Sequence, residues 1–171
     1  MTSSAPVAHH KGLSPPAGSL RVALVTASDS RTPDTNEGGR VLRRLIEEGG
    51  FTVASEVLLV EEPAALRDTV LRLAGDSDAV IVTGGTGIGP RDRTPDAVGA
   101  LFERRLPGFG ELFRMLSFQE IGSAAWLSRA LAGTVRGALV FVLPGSPNAV
   151  RLALDRLILP ELGHAVRELS R

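Results

Sequence analysis

Hydrophobic positions in this chain fall in short runs that alternate with stretches of helical periodicity. Residues 20–27 are nearly all apolar, as expected of a strand that is covered on both faces. Apolar side chains then recur at helical spacing and predict a helix over residues 37–48, which Asn36 or Thr35 can cap. Two glycines at residues 49–50 end this helix. This alternation is typical of βαβ units in a parallel sheet.

The same pattern continues to the end of the chain. Further strands are predicted over residues 51–60, 79–83, 127–135 and 138–143. Further helices are predicted over residues 63–74, 94–104 with Thr94 as cap, 111–117, and from Pro147 to about residue 169 with Ser146 as cap and a break at Pro160. The predicted fold class is therefore α/β: a doubly wound, mostly parallel sheet with helices on both faces and a small β-hairpin element, in a single domain.

Length and composition limit the class of protein. The 171 residues suffice for one domain with a proper core. Lys plus Arg and Asp plus Glu balance at 19 each, so no basic field attracts nucleic acid or an anionic membrane. Cysteine is absent, which fits a reducing cytoplasm, and no apolar run approaches the roughly 18 residues of a spanning helix. We expect a cytoplasmic protein that binds neither nucleic acid nor membrane.

The first residues differ in composition from the rest. Residues 1–18 are rich in Ser, Pro, Ala and Gly and lack the apolar segment of a secretory signal. They predict a disordered N-terminal arm, which leaves residues 19–171 as the folded domain.

The most informative stretch is residues 80–98, where an apolar run gives way to a loop with four glycines. Glycine lets the backbone approach a ligand closely, and exposed N–H groups before a helix favour an anion such as phosphate. Asp92 adds a carboxylate that suits a Mg²⁺ ion accompanying a phosphate. A Walker A loop would need a lysine, and a dinucleotide fingerprint would need glycine where Pro90 stands. The loop therefore predicts phosphate chemistry of another kind.

Other polar loops should meet this one. In an open parallel sheet, ligands bind outside the carboxyl ends of the strands. Loops at such ends cover residues 28–34, 84–94 and 144–148, and two glutamates follow the second strand. Ser28 and Ser146 suit either a structural cap or a ligand contact. Arg129 suits either a phosphate clamp, because of its planar fork, or the protein surface.

Aromatic residues concentrate in one segment. Five of the seven fall between residues 102 and 126, namely Phe102, Phe109, Phe113, Phe118 and Trp126. They either fill the core or form a subunit interface, where aromatic residues and Met are favoured.

Several motifs together resemble one family. They are residues 83–87 (TGGTG), 91–97 (RDRTPDA), 107–111 (PGFGE), 128–130 (SRA) and 143–146 (LPGS). The combination resembles the MoaB/MogA family, which includes the G domain of gephyrin and serves molybdenum cofactor biosynthesis. The resemblance covers about residues 20–165, and residues 113–122 resemble the MoaB branch in particular.

The resemblance implies an activity and an assembly. Active members transfer AMP from Mg-ATP to the terminal phosphate of molybdopterin and release pyrophosphate. A homotrimer or a dimer of trimers is implied, with other proteins of the cofactor pathway as possible partners.

The resemblance also assigns roles to individual residues of this chain. The residues matched to molybdopterin binding are Ser28, Asp29, Gly84, Gly85, Thr86, Gly87, Thr94, Ser128 and Arg129. The residues on the nucleotide side are Pro144, Gly145 and Ser146, and the catalytic and Mg²⁺-binding residues are Asp92 and Glu61.

One position departs from the family pattern. Active members carry an aspartate after the second strand, where this chain has Glu61, or Glu62 if the register slips. Glutamate keeps the charge but reaches one methylene further, and a misplacement of about 1 Å can cost on the order of 10²-fold in rate. Two alternatives to an enzyme therefore stay open: a non-catalytic molybdopterin-binding carrier or partner protein, and an oligomeric scaffold whose aromatic segment binds another protein. Nucleotide turnover distinguishes the first, and strong hetero-association the second.

Overall fold

A computed structural model describes residues 17–171 and shows one mixed six-stranded sheet in the order β2-β1-β3-β6-β5-β4. The strands are β1 (Arg21–Ala27), β2 (Thr52–Leu59), β3 (Ala79–Thr83), β4 (Arg104–Arg105), β5 (Leu131–Val135) and β6 (Ala138–Leu143). The α-helices are α1 (Glu37–Glu48), α2 (Pro63–Asp76), α3 (Thr94–Gly99), α4 (Pro107–Ile121), α5 (Pro147–Ala153) and α6 (Leu162–Leu169). The predicted α/β fold is confirmed. Of the predicted arm, residues 1–16 lie outside the described residues.

The sheet is parallel at its centre and antiparallel at one side. β1 pairs in parallel with β2 and β3, and β3 pairs in parallel with β6, whereas β5 runs antiparallel to both β4 and β6. The register places Thr26 of β1 beside Thr83 of β3, and Thr83 beside Leu143 of β6. At the other side of β1, Ala27 is level with Leu59 of β2. The carboxyl ends of four strands therefore meet at one edge of the sheet.

The core consists of two apolar layers, one on each face of the sheet. Alternate residues of a strand point to opposite faces. Accordingly, Leu24 of β1 packs in the layer that contains Leu42 and Ile46 of α1, while Val25 packs in the layer that contains Leu66 and other residues of α2. The predicted placement of helices on both faces is confirmed.

The first helix is anchored at the edge where the strands end. The Oδ1 atom of Asn36 accepts a hydrogen bond from the amide of Gly39 at 3.0 Å, as an N-cap does. The Nδ2 atom of Asn36 donates to the hydroxyl of Thr26 at 3.0 Å. One buried side chain therefore both starts α1 and fixes it to the end of β1, and of the two caps predicted, Asn36 is confirmed.

The helix predicted over residues 94–104 is wrong in its second half. α3 ends at Gly99, and Arg104–Arg105 form β4. The amides of Glu103 and Leu106 donate to the carbonyls of Thr134 and Ala132, so pairing with β5 replaces the helical hydrogen bonds. The local helical pattern is overridden by a tertiary contact that residues 94–104 do not encode by themselves.

Four other predicted boundaries or caps need correction. Arg93, not Thr94, occupies the cap position of α3, without a side-chain hydrogen bond. The helix predicted over residues 111–117 extends over Pro107–Ile121, with proline in its first turn. The strand predicted over residues 127–135 begins only at Leu131, because Gly122–Leu127 form a 3₁₀ helix. The C-terminal helix is interrupted earlier than Pro160, by a π-helical turn over Leu154–Ile158.

No helix within residues 17–171 is long and apolar enough to cross a membrane. The cytoplasmic location and the exact domain boundary at residues 19–171 stay predictions.

Candidate functional site

Three of the loops that follow aligned strands line one cleft. The cleft has a volume of about 440 Å³ and is lined by Ser28, Asp29, Ser30, Glu61, Gly89, Pro90, Arg91 and Asp92. The lining residues come from the loops after β1, β2 and β3. The convergence of these loops, which the sequence predicts, is therefore confirmed, and we call this space the carboxylate cleft.

The glycine loop, which comprises residues 84–93 between β3 and α3, begins with two residues whose backbone excludes side chains. Gly84 has a φ of 104° and Gly85 a φ of 60°, in the left-handed region that favours glycine. A Cβ atom on Gly84 would collide with the carbonyl oxygen of Ala27. A Cβ atom on Gly85 would collide with the hydroxyl of Thr94 and lie 2.7 Å from Oε2 of Glu61. The backbone of Gly85 is thus packed against two predicted site residues.

Most of the amides that follow have no hydrogen-bond acceptor in the described part of the chain. Within residues 17–171, the main-chain N–H groups of residues 85–88 have no acceptor, whereas the amide of Gly84 is used by Leu143 and that of Gly89 by Asp92. Successive unpaired N–H groups in a turn are a favourable arrangement for an anion. The loop therefore presents the donors that a phosphate group needs.

Three carboxylates meet at the carboxylate cleft. Burial, followed by the negative charges of Asp29 and Asp92, raises the pKa of the Glu61 carboxyl above its ordinary value, and the positive charge of Arg91 opposes this shift. Oδ2 of Asp92 accepts a hydrogen bond from the amide of Gly89 at 2.8 Å, which directs this carboxylate along the loop. The mutual repulsion of these groups is the electrostatic condition under which a divalent cation binds favourably.

The donor set fits a cation shared with a substrate. No group of three or more His, Cys, Asp and Glu side chains in residues 17–171 is arranged to hold a metal ion by itself. Mg²⁺ retains several waters and is usually bound by one or two carboxylates together with substrate phosphates. Asp92 and Glu61 therefore fit a Mg²⁺ ion that is shared with substrate phosphates.

The two serines that are predicted to contact molybdopterin have structural partners. The hydroxyl oxygen of Ser28 accepts hydrogen bonds from the amides of Ser30 and Arg31 at 3.3 and 3.2 Å. The hydroxyl oxygen of Ser128 accepts one from the amide of Ala130 at 3.3 Å. Both serines thus stabilise turns, and each hydroxyl retains its own proton for a ligand. Their contact with substrate stays a prediction.

Arg129 is partly exposed and contacts the backbone of the glycine loop, a contact that neither interpretation of the sequence describes. Its Nε atom donates to the carbonyl of Gly87 at 2.8 Å, and Nη2 donates to the carbonyl of Asp92. Nη1 forms an ion pair with Oδ2 of Asp96 at 2.8 Å. The guanidinium therefore donates hydrogen bonds to the backbone of the glycine loop. Residues 33 to 42 positions apart make these contacts, so no local signal in the sequence could have identified them.

Of the two predicted threonines, Thr86 belongs to the glycine loop and Thr94 packs against it. Thr86 is buried, and its carbonyl accepts a hydrogen bond from the amide of Arg129 at 3.0 Å. Thr94 is fully buried, and its hydroxyl has no hydrogen-bond partner within residues 17–171. This hydroxyl faces Gly85, which places an unsatisfied polar group directly beneath the loop.

The loop after β6 lies beside the glycine loop rather than in the carboxylate cleft. A Cβ atom on Gly145 would lie 3.4 Å from Cα of Gly84, and one on Gly38 would collide with the carbonyl of Gly145. The hydroxyl of Ser146 accepts from the amide of Ala149 at 3.3 Å, so its role as the cap of α5 is confirmed. Pro144, Gly145 and Ser146 are thus adjacent to the glycine loop, and their contact with a nucleotide stays a prediction.

Known proteins are similar to this chain in sequence. Residues 23–164 match the family described as "Probable molybdopterin binding domain". Molybdenum cofactor biosynthesis protein B of Bacillus anthracis is 46% identical over 170 residues, covering 96% of this chain and 98% of that protein. The corresponding protein of Bacillus subtilis strain 168 is 46% identical over 155 residues, covering 89% of this chain and 91% of that protein.

A solved structure is similar to this chain in sequence and in fold. A crystal structure of a Molybdenum cofactor biosynthesis protein B is 48% identical to this chain and superimposes with a TM-score of 0.84, covering 89% of this chain and 96% of that one. The family match spans most of the chain, and the aligned relatives are matched over nearly their full length. The chain therefore belongs to the MoaB/MogA family.

Proposed function

We propose that this chain serves molybdenum cofactor biosynthesis by binding molybdopterin and transferring AMP from Mg-ATP to its terminal phosphate, with release of pyrophosphate. The observation that carries the proposal is the meeting of Asp29, Glu61 and Asp92 at one cleft beside a glycine loop with unpaired amides. The names of the relatives, which are molybdenum cofactor biosynthesis proteins, support the pathway.

The glycine loop is the proposed site for the terminal phosphate of molybdopterin. The N–H groups of residues 85–88 supply hydrogen bonds to phosphate oxygens, and the absence of side chains at Gly84 and Gly85 allows close approach. Ser28 lines the carboxylate cleft, and its hydroxyl is the proposed further donor. Ser128 and Arg129 adjoin the loop from the other side, through the bond from the Arg129 amide to Thr86.

The proposed chemistry requires no nucleophile from the protein. An oxygen of the molybdopterin phosphate attacks the α-phosphorus of ATP, and the bond to the β-phosphate breaks to release pyrophosphate. Such transfers depend mainly on positioning and on neutralising charge. Asp92 and Glu61 would hold Mg²⁺, which when bound neutralises charge on the phosphates. The loop of Pro144, Gly145 and Ser146, beside Gly84, is the proposed nucleotide side.

We further propose that the chain assembles into a homotrimer or a dimer of trimers through α4 and the 3₁₀ helix after it. Leu112, Met115, Phe118 and Ile121 recur every three residues on α4, and all are exposed. Trp126 is 72% exposed in the following turn. An apolar stripe of this kind on a chain with only seven aromatic residues is typical of an interface.

A pair of glycine variants tests the proposed binding site. Gly85→Ala places a methyl group against Thr94 and Glu61, whereas Gly75→Ala in α2 meets no atom within 4 Å. We expect molybdopterin to raise the Tm of the wild type and of Gly75→Ala, but not that of Gly85→Ala. If Gly85→Ala does not fold, Gly87→Ala replaces it, because its methyl group would lie 2.8 Å from Oδ2 of Asp92. Equal stabilisation of all variants would contradict the assignment.

A further inference from the structure

We propose that Arg129 is a positioning residue, whose guanidinium fixes the main chain of the glycine loop and thereby holds the Asp92 carboxylate at the carboxylate cleft. The inference rests on the proposed function, since it explains how Asp92 is placed for the transfer. It replaces the phosphate-clamp role that the sequence suggests for Arg129.

Arg129 contacts the glycine loop near its start and near its end. Its main-chain amide donates to the carbonyl of Thr86 at 3.0 Å, and its Nε atom donates to the carbonyl of Gly87 at 2.8 Å. Nη2 then donates to the carbonyl of Asp92. The residue that carries the proposed Mg²⁺-binding carboxylate is therefore held by its own peptide group. Between Gly87 and Asp92 the other contacts are the turn bonds that involve Gly89, a bond from Nε of Arg93 to the carbonyl of Pro90, and an exposed ion pair of Arg91 with Asp29.

The segment that carries Arg129 is itself anchored. Nη1 of Arg114, in α4, donates to the carbonyls of Ser128 and Ala130 at 3.4 and 3.1 Å. The positive charge of Arg129 is balanced by the ion pair with Asp96, at the start of α3. Arg129 thus connects a fixed segment, the glycine loop and a helix in one network.

A guanidinium suits this task better than any other side chain. Its planar fork presents five N–H donors in fixed directions, and here Nε, Nη1 and Nη2 each face a different protein acceptor. An ammonium group is a point charge on a flexible stem and cannot satisfy the same three acceptors in one geometry. Lysine should therefore retain the charge but lose the order of the loop.

The test compares Arg129→Ala and Arg129→Lys with the wild type and with Arg105→Ala. Arg105 is a matched control, because it also donates to a backbone carbonyl, that of Gly99, at 2.9 Å and lies outside the carboxylate cleft. Hydrogen–deuterium exchange reports loop order without substrate, and the amide of Gly89 is the key reporter since it depends on Asp92. Steady-state adenylyl transfer gives kcat and KM for molybdopterin, with and without methylguanidinium.

We expect both Arg129 variants to exchange faster at the amides of Gly89 and Asp92, which are the hydrogen-bonded amides between residues 87 and 92. We also expect them to lose kcat on the order of 10²-fold with little change in KM, as misplacement of a reacting group predicts. Methylguanidinium should partly restore Arg129→Ala, and Arg105→Ala should behave as the wild type. A raised KM with unchanged exchange would overturn the proposal in favour of a phosphate clamp. If Arg129→Ala does not fold, Arg129→Lys provides the same comparison of loop exchange and kcat with Arg105→Ala. Absence of transfer by the wild type would contradict the proposed function alone, because loop exchange tests the positioning separately.

Discussion

The main-chain amide of Glu61 donates a hydrogen bond to Oδ1 of Asp29 at 3.0 Å. This bond ties the loop after β2 to the loop after β1 at the edge where the strands end. The same closeness places the Asp29 charge beside the Glu61 carboxyl and contributes to raising its pKa, after the larger effect of burial. The bond that joins these two loops therefore also places beside Glu61 a negative charge that disfavours its ionised form.

The raised pKa of Glu61 predicts a pH dependence of stability. Because the folded protein binds this proton more tightly than the unfolded chain, the free energy of unfolding should fall as pH rises from 4.5, the ordinary value, through the raised pKa. Glu61→Gln removes this titration. We expect it to match the wild type at low pH and to become the more stable protein as pH rises, in urea unfolding without Mg²⁺.

Glu62 is a control of opposite sign. Hydrogen bonds from the amides of Ala65 and Ala64 lower the pKa of its carboxyl, as its role as the cap of α2 requires. The stability it contributes is present above its ordinary pKa and is lost as pH falls through the lowered pKa. Glu62→Gln should therefore be less stable than the wild type near neutral pH. The same direction of change in both variants would contradict this electrostatic account.

The length of the Glu61 side chain is the second point to test. If only its charge near Mg²⁺ is required, Glu61→Asp should change turnover modestly, whereas Glu61→Ala should remove most of it. Each tenfold loss of rate corresponds to about 1.4 kcal/mol of barrier. Adenylyl-transfer assays at saturating ATP provide the measurement. A nearly inactive wild type that Glu61→Asp activates would instead identify a binding protein that has lost catalysis.

The exposed stripe on α4 predicts an oligomer that a charge should disrupt. Phe118 is 60% exposed and Met115 is 53% exposed on this helix. We expect light scattering at micromolar concentration to give a trimer or hexamer for the wild type and a monomer for the double variant Met115→Glu with Phe118→Glu. Phe118→Leu, which keeps an apolar side chain, should assemble normally. A monomeric wild type would contradict the prediction.

Much of the fold follows from the sequence because its signals are local. Strands covered on both faces are nearly continuous apolar runs, and the cap at Asn36 and the glycines after α1 have fixed conformational preferences. The predicted elements are wrong where a contact with a distant segment determines the local structure. Residues 104 and 105 become a strand because β5 offers hydrogen bonds. The predicted strand over residues 127–135 begins late because Gly122–Leu127 form a 3₁₀ helix before β5.

The sequence likewise predicts only part of the candidate site. The sequence predicts which loops meet, since the carboxyl ends of parallel strands share an edge. It does not predict the direction of each side chain, and the Arg129 guanidinium donates to the loop backbone. The aromatic cluster also has two roles: Phe113 is buried and packs near Phe109, while Phe118 and Trp126 remain exposed. Such choices depend on packing between distant segments.

Transfer of labelled AMP tests the central claim most directly. The purified protein is incubated with molybdopterin, Mg²⁺ and ATP labelled at the α-phosphate, beside Asp92→Asn, which keeps an oxygen to accept from the Gly89 amide but loses the charge. We predict one labelled AMP on molybdopterin for each pyrophosphate released by the wild type, and almost none with Asp92→Asn although that variant folds and binds molybdopterin. Wild-type protein that binds molybdopterin but never consumes ATP, or a fully active Asp92→Asn, would contradict the account.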